Sequence, residues 1–349
     1  MEAKNRRQPT VEVKDKAISQ IGIVVADAVK TAKRYSEIFG VGPWYFIDVT
    51  PRDFILHGET YRNAETGLRL ALANMGKMQI ELIEPQYGQS THMSFLQEKG
   101  EGIHHVSFGV VKDHDQIVTN LAEQGVGIEM QGLSGDTGTF TYLATQEKLG
   151  TIYEVVNPIT SGAGGGMKPW GAYRAQGDGA VNIEGKEIKQ LGIVVDDVEK
   201  IARNYWELMG IGPWYLLDLT PQHLADAYLH GIAIDETQVH IKAGIAQFGG
   251  IQLELLQPVQ GPSTHMEFLR TRGQGIHHVS FDQIDDHDRV ISGFESMGIE
   301  VESSGLLGGA ITFTYLATQK DLGTIFEAVK VHPGKTNTLT AYEIYPPNK

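Results

Sequence analysis

The stretch GEGIHHVSF at residues 100–108 occurs again as GQGIHHVSF at residues 273–281, an offset of 173 positions. Its surroundings are repeated in the same order: QIGIVV from Gln20 matches QLGIVV from Gln190, and TFTYLATQ is present in both halves. Self-similarity at one long period indicates that a whole domain has been duplicated. We therefore predict a fold that is built twice from the same elements.

The repeat sets the domain limits. We predict one domain at residues 17–160 and a second at residues 186–331, which suits a chain of 349 residues. Residues 161–185 contain many glycines, which is typical of a flexible linker. The remaining residues, 332–349, form a C-terminal tail in this interpretation.

Each half has an internal rhythm that predicts its elements. After the strand QIGIVV, Asp27 is an N-cap candidate, apolar residues follow at helical spacing, and Gly40 ends the helix. Three strands come next, and the pattern restarts at IHHVSF. We predict an α+β fold of four βαβββ modules, paired within each half so that a curved, barrel-like mixed sheet encloses a cavity.

Composition excludes several classes of function. The formal charge of −14 disfavours nucleic acid as a partner, because that binding needs a basic surface. No apolar run approaches the roughly 18 residues that a membrane helix needs, and the polar N-terminus does not resemble a signal peptide. Because the sequence has no cysteine, thiolate metal sites and disulfides are excluded. We expect a cytoplasmic protein.

Strand alternation predicts which polar residues face the cavity. In IHHVSF, His105 shares one face with Ser107, whereas His104 shares the helix-covered face with Val106 and Phe108. The same rule turns one polar side chain inward from each of three other strands. The inward set is Gln20, Glu81, His105 and Glu154 in the first half, and Gln190, Glu254, His278 and Glu327 in the second.

Two carboxylates in an apolar cavity need compensation, since burying an unpaired charge is very costly. A divalent cation held by Gln, Glu, His and Glu cancels both charges. Oxygen and imidazole ligands without sulfur suit Mg, Mn, Co, Ni or Zn, and these ligand types do not select one of them. The alternative is structural, because a single buried histidine is usually a hydrogen-bonded core residue. The presence of all four residue types in both halves favours the metal site.

The motifs resemble those of the vicinal oxygen chelate superfamily, which includes glyoxalase I, methylmalonyl-CoA epimerase, extradiol dioxygenases and bleomycin-resistance proteins. GIHHVSF, IELIEP and GTIYE are most similar to the epimerase and glyoxalase I branches. The resemblance implies two tandem domains of this family. Gln20 and Gln190 stand where epimerases commonly have His, and some glyoxalases also use Gln there. The metal ligands that the resemblance implies are Glu81, His105, Glu154, Glu254, His278 and Glu327.

Four protein ligands around an octahedral metal leave two adjacent positions for two oxygens of one substrate. This arrangement supports an isomerase, epimerase or lyase that acts on a small carbonyl compound through a metal-stabilised enolate. A separate carboxylate base of some epimerases would fall on Leu70 and Ala243, so the base stays open. The candidates for proton transfer are Glu154, Glu327, His57 and His230.

Substrate contacts have four candidates, which are His92, His265, Trp44 and Trp214. The tryptophans stand in GPWY, which also fits a turn followed by core aromatics. Two other functions remain open. A metal-free binding or resistance protein would use the cavity to sequester a ligand. A ring-cleaving or 2-oxoacid-type dioxygenase would need two histidines and one carboxylate on Fe(II), whereas each predicted site offers one histidine.

The duplication also predicts that one chain imitates a dimer of single-domain relatives, because both domains are already tethered. Further association between chains stays open. The expected partner is therefore a small carbonyl compound, and neither nucleic acid nor a membrane.

Overall fold

The computed structural model describes residues 9–51, 53–62, 65–134, 138–158, 168–181, 183, 187–281 and 283–347. In this part of the chain, each half forms one mixed sheet of eleven strands. No helix among the described residues is long and apolar enough to cross a membrane. The predicted α+β fold of two tandem domains is confirmed.

The first half contains strands β1 to β11 and helices α1 to α4. Their bounds are β1 Gln20–Val24, α1 Ala28–Phe39, β2 Trp44–Val49, β3 Phe54–Leu56, β4 Glu59–Tyr61, β5 Gly67–Met75, β6 Met78–Tyr87, α2 Thr91–Lys99, β7 Gly102–Val110, α3 His114–Glu123, β8 Ile128–Ser134, β9 Gly138–Leu143, α4 Gln146–Leu149, β10 Ile152–Pro158 and β11 Gly171–Tyr173.

The second half contains strands β12 to β22, helices α5 to α8 and two short 3-10 helices at Pro221–His223 and Glu236–Gln238. The other bounds are β12 Ile188–Val194, α5 Val198–Met209, β13 Trp214–Leu219, β14 Leu224–Leu229, β15 Ile232–Ala233, β16 His240–Phe248, β17 Ile251–Gln260, α6 Thr264–Arg272, β18 Gly275–Phe281, α7 His287–Ser296, β19 Val301–Leu307, β20 Ile311–Leu316, α8 Gln319–Leu322, β21 Ile325–Val331 and β22 Ala341–Tyr345.

The four strands that carry the predicted ligands lie side by side. In the first half the sheet order is β11, β2, β5, β6, β1, β7, β10, β9, β8, β3, β4. Strand β1 pairs in parallel with β6 and antiparallel with β7, and β7 pairs in parallel with β10. The second half repeats this order as β17, β12, β18, β21. The two modules of each half therefore meet at the centre of its sheet.

The predicted helix after the first strand is confirmed. The Asp27 carboxylate accepts a hydrogen bond from the Lys30 backbone N–H at 2.8 Å, which satisfies one free donor at the start of α1. Gly40 ends the helix with φ 67°, a left-handed conformation that favours glycine. Tyr35 and Phe39, spaced by one turn, are fully buried. This helix therefore packs its apolar face into the core.

Several elements were not predicted from the pattern, among them α2, α4, the β3–β4 hairpin, and the strands β11 and β22. Strand β11 lies within residues 161–185 and pairs with β2. Strand β22 lies within residues 332–349 and pairs with β13, which is the counterpart of β2. Residues 161–167 lie outside the described residues. The sheet edge of each half is thus covered by the chain that follows it.

The two halves share one hydrophobic core. The Phe39 ring packs against Phe281 and Phe326 of the second half, with ring centroids 5.5 and 4.9 Å apart. The Tyr35 hydroxyl donates a hydrogen bond to the Leu322 carbonyl at 3.1 Å. This is the pairing of domains within one chain that the duplication predicts.

Phe39→Ala is expected to destabilise both halves together. The substitution removes a fully buried ring that touches the second half, and such a change costs about 3–5 kcal/mol. Guanidinium chloride denaturation followed by circular dichroism gives the free energy of unfolding. Lys30→Ala, at an exposed position of the same helix, is the matched control. A loss of less than about 1 kcal/mol, typical of surface changes, would contradict the shared core.

Candidate metal centre

The centre of each sheet brings together three of the predicted ligands, one imidazole and two carboxylates. Gly22 of β1 lies opposite Glu81 of β6 on one side and His105 of β7 on the other. The His105 Nε2 atom is 3.6 Å from Glu81 Oε2 and 3.9 Å from Glu154 Oε2. The second half has both distances at 3.6 Å, for His278, Glu254 and Glu327. One nitrogen and two carboxylates therefore converge in each half.

A glycine makes room for this imidazole. A Cβ atom on Gly22 would overlap the His105 ring, and a Cβ atom on Gly192 would overlap the His278 ring. Neither glycine is among those with a positive φ, so the residue is required by the close approach of the ring and not by backbone conformation.

Burial governs the electrostatics of the centre. The His105 side chain is fully buried, and the side chains of Glu81 and Glu154 are only 13% and 8% exposed. Burial raises the pKa of both carboxyl groups, and repulsion from Glu154 raises that of Glu81 further. Burial also lowers the pKa of His105. A divalent cation would offset the free-energy cost of burying two ionised carboxylates, because it places positive charge beside them.

The available atoms fit such a cation. The Nε2 atoms of His105 and His278 are buried and have no hydrogen-bond partner among the described residues. The Gln20 amide donates from Nε2 to Gln79 Oε1 at 2.7 Å, which turns its own oxygen away from Gln79, and the second half repeats this pair. An imidazole nitrogen with carboxylate and amide oxygens is a donor set that divalent metals accept. The assignment of these residues as ligands stays a prediction.

His104 does not lie where strict alternation places it. The register between β1 and β7 shifts next to Gly22, which leaves His104 as an extra residue in a β-bulge. Its ring lies beside His105, with the two Nδ1 atoms 3.1 Å apart, and against Phe95 of α2 at 5.3 Å between ring centroids. The prediction that His104 shares the helix-covered face with its apolar neighbours was wrong.

Three histidine rings come together beside each centre. The two triads, whose ligand atoms lie within 4.8 Å of one another, are His92, His104 and His105, and His265, His277 and His278. Both ring nitrogens of His92 and His265 are buried and unpartnered within the described part of the chain. Burial lowers the pKa of each to about 3, so both rings are neutral near pH 7. These two histidines can therefore bind a ligand as donors or acceptors.

The two other histidine candidates lie at the surface. His57 and His230 occupy equivalent hairpin turns with φ 50°, and their side chains are 58% and 54% exposed. The His57 Nδ1 atom is 3.5 Å from Glu129 Oε2, and the His230 Nε2 atom is 2.9 Å from Glu267 Oε2. Neither ring is brought to the converging carboxylates.

The tryptophan candidates belong to the core. Trp44 and Trp214 are fully buried in the cluster shared by both halves, and each indole N–H donates to a backbone carbonyl three residues earlier. This core position agrees with the alternative that GPWY forms a turn followed by core aromatics, and the assignment of both rings as substrate contacts stays a prediction. Leu70 and Ala243 are likewise buried among apolar side chains, so neither position offers an acid.

Sequence reasoning missed a tyrosine in each centre. The ring centroids of Tyr142 and His105 are 4.6 Å apart, and those of Tyr315 and His278 are 4.8 Å apart. Burial and the nearby carboxylates of Glu327 and Glu254 raise the pKa of Tyr315. The signal was present in the sequence, because both tyrosines stand in the identical stretch TFTYLATQ.

The centre of the second half opens into a cavity of about 500 Å³. Gln190, Glu254, His265 and Glu327 line its polar part. Most of the remaining wall is aliphatic or aromatic and includes Leu217, Ile234, Ile245, Leu256, Phe313 and Val329. Leu339, from the segment before β22, closes part of the wall. The cavity thus offers a polar site within an apolar pocket.

A family model matches both halves of the chain. Residues 19–142 and 189–315 match the Glyoxalase/Bleomycin resistance protein/Dioxygenase superfamily, which covers well over half of the chain. The protein described as "Uncharacterized protein YqjC" from Bacillus subtilis (strain 168) is 32% identical over 95 residues. That alignment covers 27% of this chain and 55% of the relative, so the chain spans about half of the relative's length.

Solved structures were matched to the chain as well. A triple mutant of 4-hydroxymandelate synthase from Streptomyces coelicolor matches with a TM-score of 0.54 at 12% identity, covering 93% of this chain and 95% of that chain. The Mn(II)-bound glyoxalase from Novosphingobium aromaticivorans matches with a TM-score of 0.46 at 13% identity, covering 90% and 82%. At 12% identity, the first match shows a common fold over nearly the whole chain and nothing about chemistry.

Gly22→Ala is expected to weaken metal binding in the first half alone. The added Cβ would overlap the His105 ring and displace its Nε2 atom, so affinity there should fall at least about tenfold. Equilibrium dialysis with Mn²⁺ should give two sites per wild-type chain and one strong site in the variant. Gly127→Ala, where a Cβ meets nothing within 4 Å, is the matched control. Two unchanged sites in Gly22→Ala would contradict His105 as a ligand.

Proposed function

Because the chain belongs to the glyoxalase/bleomycin resistance protein/dioxygenase superfamily, we propose that it is an isomerase, epimerase or lyase. Its reaction removes a proton from the carbon atom next to a carbonyl group of a small apolar compound. The superfamily uses divalent metals, and the buried histidine triads lie beside the residues that would hold one. The observation that carries the proposal is the Nε2 atom of His278, which has no hydrogen-bond partner among the described residues. It lies 3.6 Å from both Glu254 and Glu327, two carboxylates that line an apolar cavity.

The residues that would hold the metal in the second half are Gln190, Glu254, His278 and Glu327. When bound there, a divalent cation supplies Lewis acidity, which stabilises negative charge on a carbonyl oxygen. The carbon next to that carbonyl then loses its proton more easily. A base within reach of this carbon is the remaining requirement.

Glu154 and Glu327 are the proposed proton carriers. Glu154 lies on β10 and Glu327 on β21. Their side chains are only 8% and 6% exposed, so they meet substrate rather than bulk water. Burial and the neighbouring Glu254 raise the pKa of the Glu327 carboxyl group to about 7, while His278, Ser280 and Tyr315 oppose the shift. A carboxyl group in this range can both accept and release a proton near neutral pH. The exposed His57 and His230 are less suited to this role.

The cavity wall favours an apolar substrate without a strong negative charge. Its described lining residues include no lysine or arginine, and they include the carboxylates Glu254 and Glu327. A phosphate or an extra carboxylate on the buried part of the substrate would face this negative charge unpaired. A small aromatic or otherwise hydrophobic carbonyl compound with two neighbouring oxygens fits both the wall and the polar site.

A second candidate is a dioxygenase, and one observation favours it. His92 lies beside His105, with ring centroids 6.4 Å apart, and both of its nitrogens are unpartnered within the described part of the chain. Two histidines with one carboxylate, Glu81 or Glu154, form the ligand set that Fe(II) oxygenases use. In a dioxygenase, these ligands would hold the metal in place of the set that contains Gln20. Only the dioxygenase would consume oxygen, so a measurement of oxygen consumption distinguishes the two functions.

The double variant Glu154→Gln/Glu327→Gln should lose proton exchange at the substrate carbon. The test is ¹H NMR of apolar 2-oxo and 2-hydroxy carbonyl compounds in deuterated water with Mn²⁺-loaded protein. Exchange should fall by a factor of at least about a hundred, the low end for loss of a general base. Glu123→Gln/Glu295→Gln, at exposed helix positions, is the matched control.

Three other outcomes separate the alternatives. Exchange that persists in the double variant would move the base elsewhere. Oxygen consumption with Fe(II) and a carbonyl substrate would favour the dioxygenase. Tight binding of an apolar compound without metal, exchange or oxygen consumption would favour a binding protein.

A further inference from the structure

A chain of side-chain hydrogen bonds leads from the histidine of the first centre toward the surface. The Nδ1 atoms of His105 and His104 are 3.1 Å apart, and the other ring nitrogen of His104, Nε2, is 3.1 Å from the Thr91 hydroxyl. That hydroxyl donates to Glu129 Oε1 at 2.8 Å. Glu129 Oε2 in turn is 3.5 Å from Nδ1 of the exposed His57. Four elements of the fold contribute to this chain.

The second half contains the same chain at equivalent positions. The Nδ1 atoms of His278 and His277 are 3.0 Å apart, and His277 Nε2 is 3.1 Å from the Thr264 hydroxyl, which donates to Glu302. Burial raises the pKa of Glu302, while the Thr264 hydrogen bond and the neighbouring His230 oppose that shift. The outermost histidine differs, because His230 lies beside Glu267 rather than Glu302. The histidine doublet, the threonine and the glutamate recur with the same partners, so this part of the hydrogen-bond chain is a built feature of both domains.

The glutamate carboxylate at the outer end determines which atom donates and which accepts in each hydrogen bond of the chain. An ionised carboxylate only accepts hydrogen bonds, and a threonine hydroxyl has one proton to give. Because Thr91 gives its proton to Glu129, its oxygen must accept from His104 Nε2. His104 therefore carries its proton on Nε2 and has a lone pair on Nδ1.

The protonation of His104 in turn determines which nitrogen of His105 carries the proton. The Nδ1 lone pair of His104 requires a proton on Nδ1 of His105, which leaves the lone pair of His105 on Nε2. That nitrogen is the one that lies between Glu81 and Glu154. Without the chain, the two neighbouring carboxyl groups would favour a proton on Nε2, where it would block a metal.

We propose that the pairs Thr91–Glu129 and Thr264–Glu302 are positioning residues that fix the tautomer of His105 and His278, each with its lone pair on Nε2 toward the cavity. The role of this lone pair in metal binding rests on the proposed function. The tautomer itself does not, because it follows from the hydrogen bonds of the described residues alone. Partners of this kind hold metal-binding histidines in orientation and tautomer in many proteins.

The first test measures the tautomers directly. The full chain is labelled with ¹⁵N-histidine, freed of metal, and studied by long-range ¹H–¹⁵N correlation, which distinguishes Nδ1–H from Nε2–H. His105→Ala and His278→Ala assign the signals by difference. We expect His105 and His278 as Nδ1–H, and their neighbours in the doublets as Nε2–H. An Nε2–H or doubly protonated His105 in the wild-type chain would overturn the proposal.

The second test interrupts the chain of hydrogen bonds with a side chain of nearly the same shape. Thr91→Val removes the hydroxyl, so His105 should shift toward Nε2–H and the Mn²⁺ dissociation constant of the first half should rise about 10–100-fold. Thr91→Ser, which keeps the hydroxyl, should restore both. The second half should be unchanged, and Thr60→Val, at an exposed position, controls for the substitution itself.

The two readouts keep this proposal separate from the proposed function. Weaker Mn²⁺ binding in Thr91→Val with an unchanged His105 tautomer would overturn the proposal, because a purely structural effect would then explain the loss. The expected tautomers in a wild-type chain that binds no Mn²⁺ would support the fixed tautomer and reject the metal-dependent function. If Thr91→Val does not fold, the wild-type tautomers still decide.

Discussion

The close contact between the His105 ring and the backbone of Gly22 holds the first centre together. Any side chain larger than hydrogen on that residue would overlap the imidazole, so the ring can lie there only while β1 and β7 keep their register. A slip of one residue would put Ile21 or Ile23 against the ring and turn the strand's apolar face into the cavity. Since β1 belongs to the first module and β7 to the second, this contact also joins the modules. Cavity, carboxylates and hydrogen-bond chain all depend on it, and Gly192 and His278 impose the same condition on the second half.

Much of this arrangement could be predicted from the sequence, and the remainder shows where local patterns stop being informative. Alternation along strands identified His105, Glu81 and Glu154 as inward residues because each strand has a regular period of two. It failed at His104, since a β-bulge arises from pairing between strands and leaves no local mark. The partners Thr91 and Glu129 lie on α2 and β8, far apart along the chain, and only the folded structure brings them to the doublet.

The two halves agree more closely at the centre of each sheet than at the sheet edge. The glycine, the doublet, the carboxylates and the threonine–glutamate pair recur at equivalent positions in both halves. Near the sheet edge they differ: Arg69 pairs with Asp48 and lies over the Trp170 ring, whereas the corresponding Lys242 lies opposite Asp218 and near Tyr342. The two halves therefore share the residues of the centre and differ in the side chains at this sheet edge.

The strands β11 and β22 have a consequence for self-association. An unpaired edge presents free backbone donors and acceptors, which other chains can extend into an aggregate. In this protein the segment after each domain supplies a short strand that occupies the edge at β2 or β13. A shortened chain that ended at residue 331 would keep both centres intact and would still expose the β13 edge, together with a cavity wall that Leu339 completes. Solubility of the second domain therefore depends on a segment that contributes no ligand.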